Sequence, residues 1–97
     1  MNSQEAFRKA FLKDKGVMKM HLEGLTLYYK NTCPYCQKVL GFMARNELSL
    51  DMCDITMPGH LDNLLRIGGK NQVPCLIIDG EALYESADII TYLDTFV

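Results

Sequence analysis

Residues 28–42, YYKNTCPYCQKVLGF, decide the fold, because Cys33 and Cys36 are separated by only a proline and a tyrosine. Just upstream, residues 25–29 read LTLYY, which is apolar and rich in strand-forming residues. Downstream, apolar side chains recur at helical spacing over residues 35–47. The stretch therefore predicts a buried strand, a turn that carries the first thiol, and a helix.

This arrangement suits a reactive thiol. A helix that begins just after Cys33 places its sulfur beside unpaired N–H groups and the positive end of the helix dipole, which stabilise a thiolate. Pro34 fits the first helical position, where an N–H has no partner, and Lys30 adds a positive charge. Cys36 faces the same side one turn later. It can attack a mixed disulfide on Cys33, and its deeper position predicts a weaker nucleophile.

A CxxC pair has two other common uses in proteins, a zinc site and a structural disulfide. Half of a zinc site needs further ligands, but Cys53 and Cys75 are single and fall in predicted strands rather than in a second CxxC turn. A purely structural disulfide would close a very small loop and contribute little stability. Redox chemistry is therefore favoured, and no metal is expected.

The rest of the chain predicts an α/β domain. A helix over residues 3–15 comes first. The later elements are a strand at 48–55, a helix at 61–68, a strand at 73–79, a hairpin partner at 81–84 and a last helix capped by Ser86. The dipeptide Asp79-Gly80 predicts the tight turn of the hairpin. Strand–helix–strand followed by a hairpin predicts a mixed four-stranded sheet flanked by helices.

Composition limits the function. With 97 residues, 48% hydrophobic and 23% charged, the chain fits one small domain. It has no apolar run long enough to span a bilayer and no continuous apolar signal core, so a cytoplasmic location is expected. Residues 1–22 carry five Lys or Arg against two acids, whereas residues 23–97 carry five against ten. An acidic body makes nucleic acid a poor partner.

The second clue is QVPC, residues 72–75, with a proline at the entrance to a predicted central strand. Proline there costs a ladder hydrogen bond. A cis Val73-Pro74 bond would turn the backbone of Val73 outward, where its N–H and C=O could pair with an extended thiol peptide. An ordinary trans proline at a strand start is the other possibility, and the upstream CPYC favours the cis form.

Together these motifs resemble the glutaredoxin family, a branch of the thioredoxin fold. The resemblance covers residues 24–97 and consists of KNTCPYC at 30–36, QVP at 72–74, DG at 79–80 and a Glu-Ser helix start at 85–86. It implies glutathione-dependent reduction of protein disulfides and of glutathione-mixed disulfides, with glutathione as co-substrate.

Carried over residue by residue, the resemblance makes Cys33 the nucleophile and Cys36 the resolving thiol. It implies a glutathione groove lined by Lys30, Tyr35, Gln72, Val73, a cis Pro74, Glu85 and Ser86. Gln72 departs from the threonine that many glutaredoxins carry. The Glu85-Ser86 element instead resembles the N-terminal domain of glutathione transferases, where helix-start N–H groups and a hydroxyl suit the γ-glutamyl carboxylate.

Two alternatives stay open at this point. One is a thioredoxin-like reductant fed by a flavin reductase. The other is a module in which Cys33 and glutathione hold a [2Fe–2S] cluster, although Pro34 argues mildly against it.

The remaining expectations concern surroundings and partners. Residues 1–22 are expected to form a helical extension of a glutaredoxin domain at 23–97, packed on the body or partly solvated rather than bound to membrane. The partners are glutathione and disulfide-containing or glutathionylated proteins, and a monomer is expected. Cys53 and Cys75 are expected mainly as small core residues, with an accessory redox role left open for Cys75.

Overall fold

The computed structural model describes residues 20–97, so the helix predicted over residues 3–15 lies outside the described residues. The elements are β1 (Met20–Tyr29), α1 (Pro34–Arg45), β2 (Leu48–Asp54), α2 (His60–Gly68), β3 (Cys75–Ile78), β4 (Glu81–Leu83) and α3 (Ser86–Asp94). Their order confirms the prediction for this part of the chain. Within the described residues, no helix combines the length and the apolar character needed to cross a membrane.

The four strands form one mixed sheet in the order β2-β1-β3-β4. β2 runs parallel to β1, as expected for strands joined by a crossover helix. β3 is antiparallel to β1, and β4 pairs back on β3. A mixed sheet of this order with helices on both faces is the thioredoxin-like fold, as predicted.

The two faces of the sheet bury different side chains because residues alternate along each strand. Leu25 and Leu27 of β1 belong to the larger core, which also contains Val39 of α1 and Leu93 of α3. Tyr28 points to the opposite face and packs in a smaller cluster with Leu64 of α2. The sheet is therefore the middle of three layers, with α1 and α3 together on one side and α2 on the other.

The start of β1 differs from the expectation. The strand begins at Met20 rather than at Leu25, because His21 pairs with Ser49 of β2 and Leu22 is buried in the core. Gly24, with φ +82°, accommodates the irregularity in pairing between the two halves of the strand. β1 thus crosses the predicted boundary between residues 22 and 23, and the division into extension and domain stays a prediction.

The β3–β4 hairpin has the predicted turn. Asp79 and Gly80 both have positive φ, 51° and 86°, as a two-residue turn between twisted strands requires. The hairpin reverses the chain, so that Tyr84 and the start of α3 return to the end of β3 that carries Cys75.

The sheet topology determines where the site forms. Tyr28, near the end of β1, pairs with Cys75, at the start of β3. Residues that follow β1, precede β3 or follow β4 therefore meet at one edge of the sheet. Both motifs that the sequence singled out, CPYC and QVPC, lie there.

Candidate active site

Cys33 is the N-cap residue of α1. Its backbone is extended, with φ −87° and ψ 121°, and its sulfur accepts the N–H of Cys36 at 3.4 Å. Pro34 occupies the first turn of the helix, as predicted. The preceding turn is closed by the N–H of Cys33, which donates to the carbonyl of Lys30 at 3.1 Å. The sulfur therefore lies at the helix N-terminus with an N–H pointing at it.

The two thiols of the pair have opposite pKa shifts. Burial acts to raise the pKa of Cys33, but hydrogen bonds from Cys36 and from the backbone of Tyr35, together with the charge of Lys30, lower it below the ordinary value. Cys36 is fully buried, and burial is the main cause that raises its pKa to about 12. At neutral pH the chemistry of this pair thus starts from Cys33.

The Val73-Pro74 peptide bond is cis, as predicted. The carbonyl of Val73 accepts a weak hydrogen bond from the Cys33 thiol at 3.7 Å, so this carbonyl is not as free as the sequence suggested. The contact brings the nucleophile to the segment just before β3. When Cys33 is a thiolate, the sulfur has no proton to donate and the carbonyl is released.

A groove of about 590 Å³ lies beside this contact. Its lining residues come from α1, from the segment before β3 and from the start of α3, and they are Tyr35, Lys38, Gln72, Val73, Pro74, Tyr84, Glu85, Ser86 and Ala87. We call residues 72–74 the β3 wall and residues 85–87 the α3 wall. The groove is open enough to admit a small peptide.

Six of the predicted glutathione contacts line this groove, namely Tyr35, Gln72, Val73, Pro74, Glu85 and Ser86. Lys30 does not line it; its charge acts on Cys33 instead. The roles of these residues toward glutathione stay predictions.

Sequence reasoning missed three of the lining residues, which are Lys38, Tyr84 and Ala87. The Lys38 ammonium lies 5.4 Å from the centre of the Tyr35 ring, on the exposed side of α1. Their three-residue spacing on a helix could have indicated that they share a face. Tyr84 was assigned to the hairpin strand, although β4 ends at Leu83.

The capping of α3 differs from the prediction. Glu85, not Ser86, is the N-cap residue, and no side-chain hydrogen bond caps the helix. Ser86 is the first helical residue because the extended backbone ends at Glu85. The first N–H groups of a helix have no acceptor within the helix, so α3 directs unpaired donors toward the groove.

The other two cysteines lie in the sheet. Cys75 is fully buried, and Cys53 is half-buried in β2. Burial is the main cause that raises the pKa of both thiols. Their placement agrees with the expectation of small core residues. Within residues 20–97, no group of three His, Cys, Asp or Glu side chains is arranged to hold a metal ion.

Comparisons with known proteins agree with this geometry. Residues 27–95 match the family model of the glutathione S-transferase N-terminal domain. A search of curated protein sequences found no significant match.

Among solved structures, a glutathione S-transferase from Methylobacillus flagellatus with glutathione bound is 33% identical over 75% of this chain and 37% of its own, with a TM-score of 0.62. A rice glutathione S-transferase in complex with glutathione is 27% identical over 76% of this chain and 34% of its own, with a TM-score of 0.59. Glutaredoxin 2 from Salmonella typhimurium in complex with glutathione is 27% identical over 74% and 33%, with a TM-score of 0.53.

The chain spans only about a third of the length of these three proteins. The part that matches is the thioredoxin-like sheet with its flanking helices. The family model covers more than half of the chain and includes Cys33, the β3 wall and the α3 wall. This protein therefore belongs to the glutathione S-transferase N-terminal domain family.

Proposed function

We propose that this protein is a glutathione-dependent thiol–disulfide oxidoreductase of the glutaredoxin type. The observation that carries the proposal is the geometry of Cys33: its sulfur accepts the Cys36 N–H at the start of α1, and it lies beside Val73 at the edge of the groove. Helix N-termini favour the thiolate, which is the form that attacks disulfides. Family membership and the glutathione found in the related structures support glutathione as the ligand.

In the first step the Cys33 thiolate attacks the glutathione sulfur of a mixed disulfide. A bond forms between these two sulfurs while the bond to the protein sulfur breaks. The protein thiolate leaves with the electron pair and takes a proton from solvent. Cys33 then carries glutathione as a mixed disulfide.

In the second step a glutathione thiolate attacks the glutathione sulfur on Cys33. Oxidised glutathione leaves and the Cys33 thiolate is restored, so one mixed disulfide and one glutathione give one protein thiol and one oxidised glutathione. For a protein disulfide, the Cys33 thiolate first attacks one protein sulfur and the other leaves as a thiolate. Cys36 then attacks the Cys33 sulfur, so the Cys33–Cys36 disulfide forms while the second protein thiolate leaves. Two glutathiones later reduce this internal disulfide and become one oxidised glutathione. Cys36 must first lose its proton, and burial, the main cause of its raised pKa, disfavours the thiolate, which favours the route through glutathione.

The charges around the groove suit the ends of glutathione. The unpaired N–H groups of Ser86 and Ala87 at the start of α3 suit the γ-glutamyl carboxylate, and the Glu85 carboxylate suits the neighbouring ammonium. The Val73 backbone pairs with the cysteine unit of the peptide. The Lys38 ammonium, across the groove, suits the glycine carboxylate.

A transferase activity is less compatible with the Cys33 thiolate. A transferase activates bound glutathione by stabilising its thiolate, most simply with a hydrogen-bond donor. A Cys33 thiolate has no proton to donate and carries the same charge, so it would repel a glutathione thiolate. Disulfide exchange instead uses the Cys33 thiolate as the nucleophile, so the missing proton and the negative charge both favour it.

The test is turnover of a glutathione-mixed disulfide, coupled to glutathione and glutathione reductase. We expect the wild type to be active, Cys33→Ser to be inactive and Cys36→Ser to retain activity on this substrate while losing reduction of protein disulfides. Cys53→Ala is the matched control, since Cys53 lies away from the groove, and it should retain full activity. The proposal fails if the wild type is inactive or if Cys33→Ser still turns over.

Two further measurements separate the alternatives. Activity with a flavin-dependent thioredoxin reductase and none with glutathione would favour the hypothesis of a thioredoxin-like reductant. Brown protein after anaerobic purification would favour the hypothesis of a [2Fe–2S] module.

Under our proposal the partners are glutathione and glutathionylated proteins, the protein acts as a monomer, and it works in a reducing compartment such as the cytoplasm.

A further inference from the structure

Tyr84 contacts a segment fourteen residues earlier in the chain. Its hydroxyl accepts the N–H of Lys70 at 3.3 Å and donates to the carbonyl of the same residue at 3.3 Å. The Lys70 ammonium lies 5.1 Å from the centre of the tyrosine ring. One side chain therefore holds both backbone groups and the side chain of Lys70.

The ring of Tyr84 is also seated on the end of α2. A Cβ on Gly68, the last residue of that helix, would overlap the Tyr84 hydroxyl and lie 3.0 Å from the ring carbon that bears it. The same Cβ would lie 3.2 Å from Ala82 of β4. Glycine at position 68 thus leaves the space that the phenol occupies.

These contacts join the two walls of the groove. Lys70 lies two residues before the β3 wall, and Tyr84 comes directly before the α3 wall while lining the groove itself. We propose that Tyr84, seated on Gly68 and bonded to Lys70, is a positioning residue that sets the spacing between the two walls and thereby the affinity for glutathione. This inference rests on the proposed function.

The physical reason is that glutathione must reach both walls at once. In the proposed complex its cysteine unit pairs with Val73 and its γ-glutamyl end meets the start of α3. If the spacing between the walls varies, part of the binding free energy is lost in ordering them. The reactive sulfur belongs to a different element, α1, so its reactivity should not change. Loss of the contact is therefore expected to raise KM and leave kcat nearly unchanged.

The experiment compares Tyr84→Phe, Gly68→Ala and the double variant. Tyr84→Phe keeps the ring and removes the two hydrogen bonds to Lys70, so we expect KM for the mixed disulfide to rise about threefold. Gly68→Ala displaces the ring and should raise KM about tenfold. In the double variant the overlapping hydroxyl is absent and part of the overlap is relieved, so KM should fall below that of Gly68→Ala alone. In all three variants kcat should stay near the wild-type value, whereas a merely structural role would lower stability without this split between KM and kcat.

Gly41→Ala is the matched control. Gly41 also lies in a helix, and its added Cβ would meet only the mobile end of Arg45 at 3.2 Å. It should leave KM unchanged. The alkylation rate of Cys33 by iodoacetamide should be equal in all variants, and calorimetry with S-methylglutathione should reproduce the KM order as dissociation constants.

The inference is overturned if Tyr84→Phe binds S-methylglutathione as tightly as the wild type, or if the double variant is weaker than Gly68→Ala. Tyr84→Phe keeps the test decisive should Gly68→Ala fail to fold. A wild type that binds the analogue without turning over mixed disulfides would defeat the proposed function alone. A wild type that binds no analogue would defeat both.

Discussion

The chain carries two pairs of thiols whose chemistry differs although all four are cysteines. Cys33 and Cys36 lie at the start of α1, and Cys53 and Cys75 lie in β2 and β3, the two strands that flank Tyr28 of β1. Only Cys33 has its pKa lowered. Burial acts to raise the pKa of all four thiols. At Cys33 alone, the N–H groups at the start of α1 and the charge of Lys30 outweigh burial.

Cys53 and Cys75 also cannot form a disulfide with each other, as Cys33 and Cys36 can. Cys53 and Cys75 are separated by a whole strand, which places their Cα atoms about 9 to 10 Å apart, beyond the roughly 7 Å that a disulfide spans. Cys36 follows Cys33 by one helical turn and can reach it. Reactivity in this chain is therefore set by position relative to a helix terminus and not by the number of cysteines.

The largest expected contrast is the rate of alkylation. With iodoacetamide at pH 7, native Cys33 should react at least about 100-fold faster than Cys36 or Cys75, because it combines thiolate character with access. Its rate should rise with pH through a midpoint below that of an ordinary cysteine, since deprotonation produces the attacking form. Peptide mapping by mass spectrometry measures the extent of alkylation at each cysteine over time. Urea-unfolded protein is the control in which the difference between the cysteines disappears. Equal labelling of the four native thiols would contradict the comparison.

A second contrast concerns stability. Cys75→Ala removes a fully buried sulfur and should lower the free energy of unfolding by about 1 to 2 kcal/mol, as other small core truncations do. Cys33→Ser keeps an acceptor at the N-cap and should change it by less than about 0.5 kcal/mol. Urea titration measures both. If Cys33→Ser were the more destabilising change, the thiol at the helix start would be chiefly structural.

Much of the site could be predicted because its signals are local. A strand followed by CPYC determines both a helix start and the residue that caps it, and Pro74 before an apolar run marks the start of β3. The sheet topology then brings these segments together. Glu85 and Ser86 line the groove, although the N-cap residue is Glu85 rather than Ser86, and their role toward glutathione stays a prediction.

The features that sequence reasoning missed depend on distant partners. β1 extends back to Met20 because it pairs with β2, a contact between residues 28 apart. Tyr84 belongs to the groove because of Lys70 and Gly68, which no local pattern connects to it. Lys38 lines the groove because of the orientation of α1 over the sheet. None of these three features could be predicted without knowing how the elements pack against one another.

The smallest expected effect is that of removing the charge of Lys30, which tests whether this charge or the backbone N–H donors lower the pKa of Cys33. Lys30 is exposed and is the weakest of the causes that lower the Cys33 pKa. Lys30→Met should therefore raise that pKa slightly and slow alkylation at pH 7 about twofold, and added salt should reduce the difference because it screens an exposed charge. Lys70→Met is the matched control and should leave the alkylation rate unchanged. A large loss of reactivity in Lys30→Met would mean that the lysine, rather than the N–H groups at the start of α1, makes Cys33 different from the thiols in the sheet.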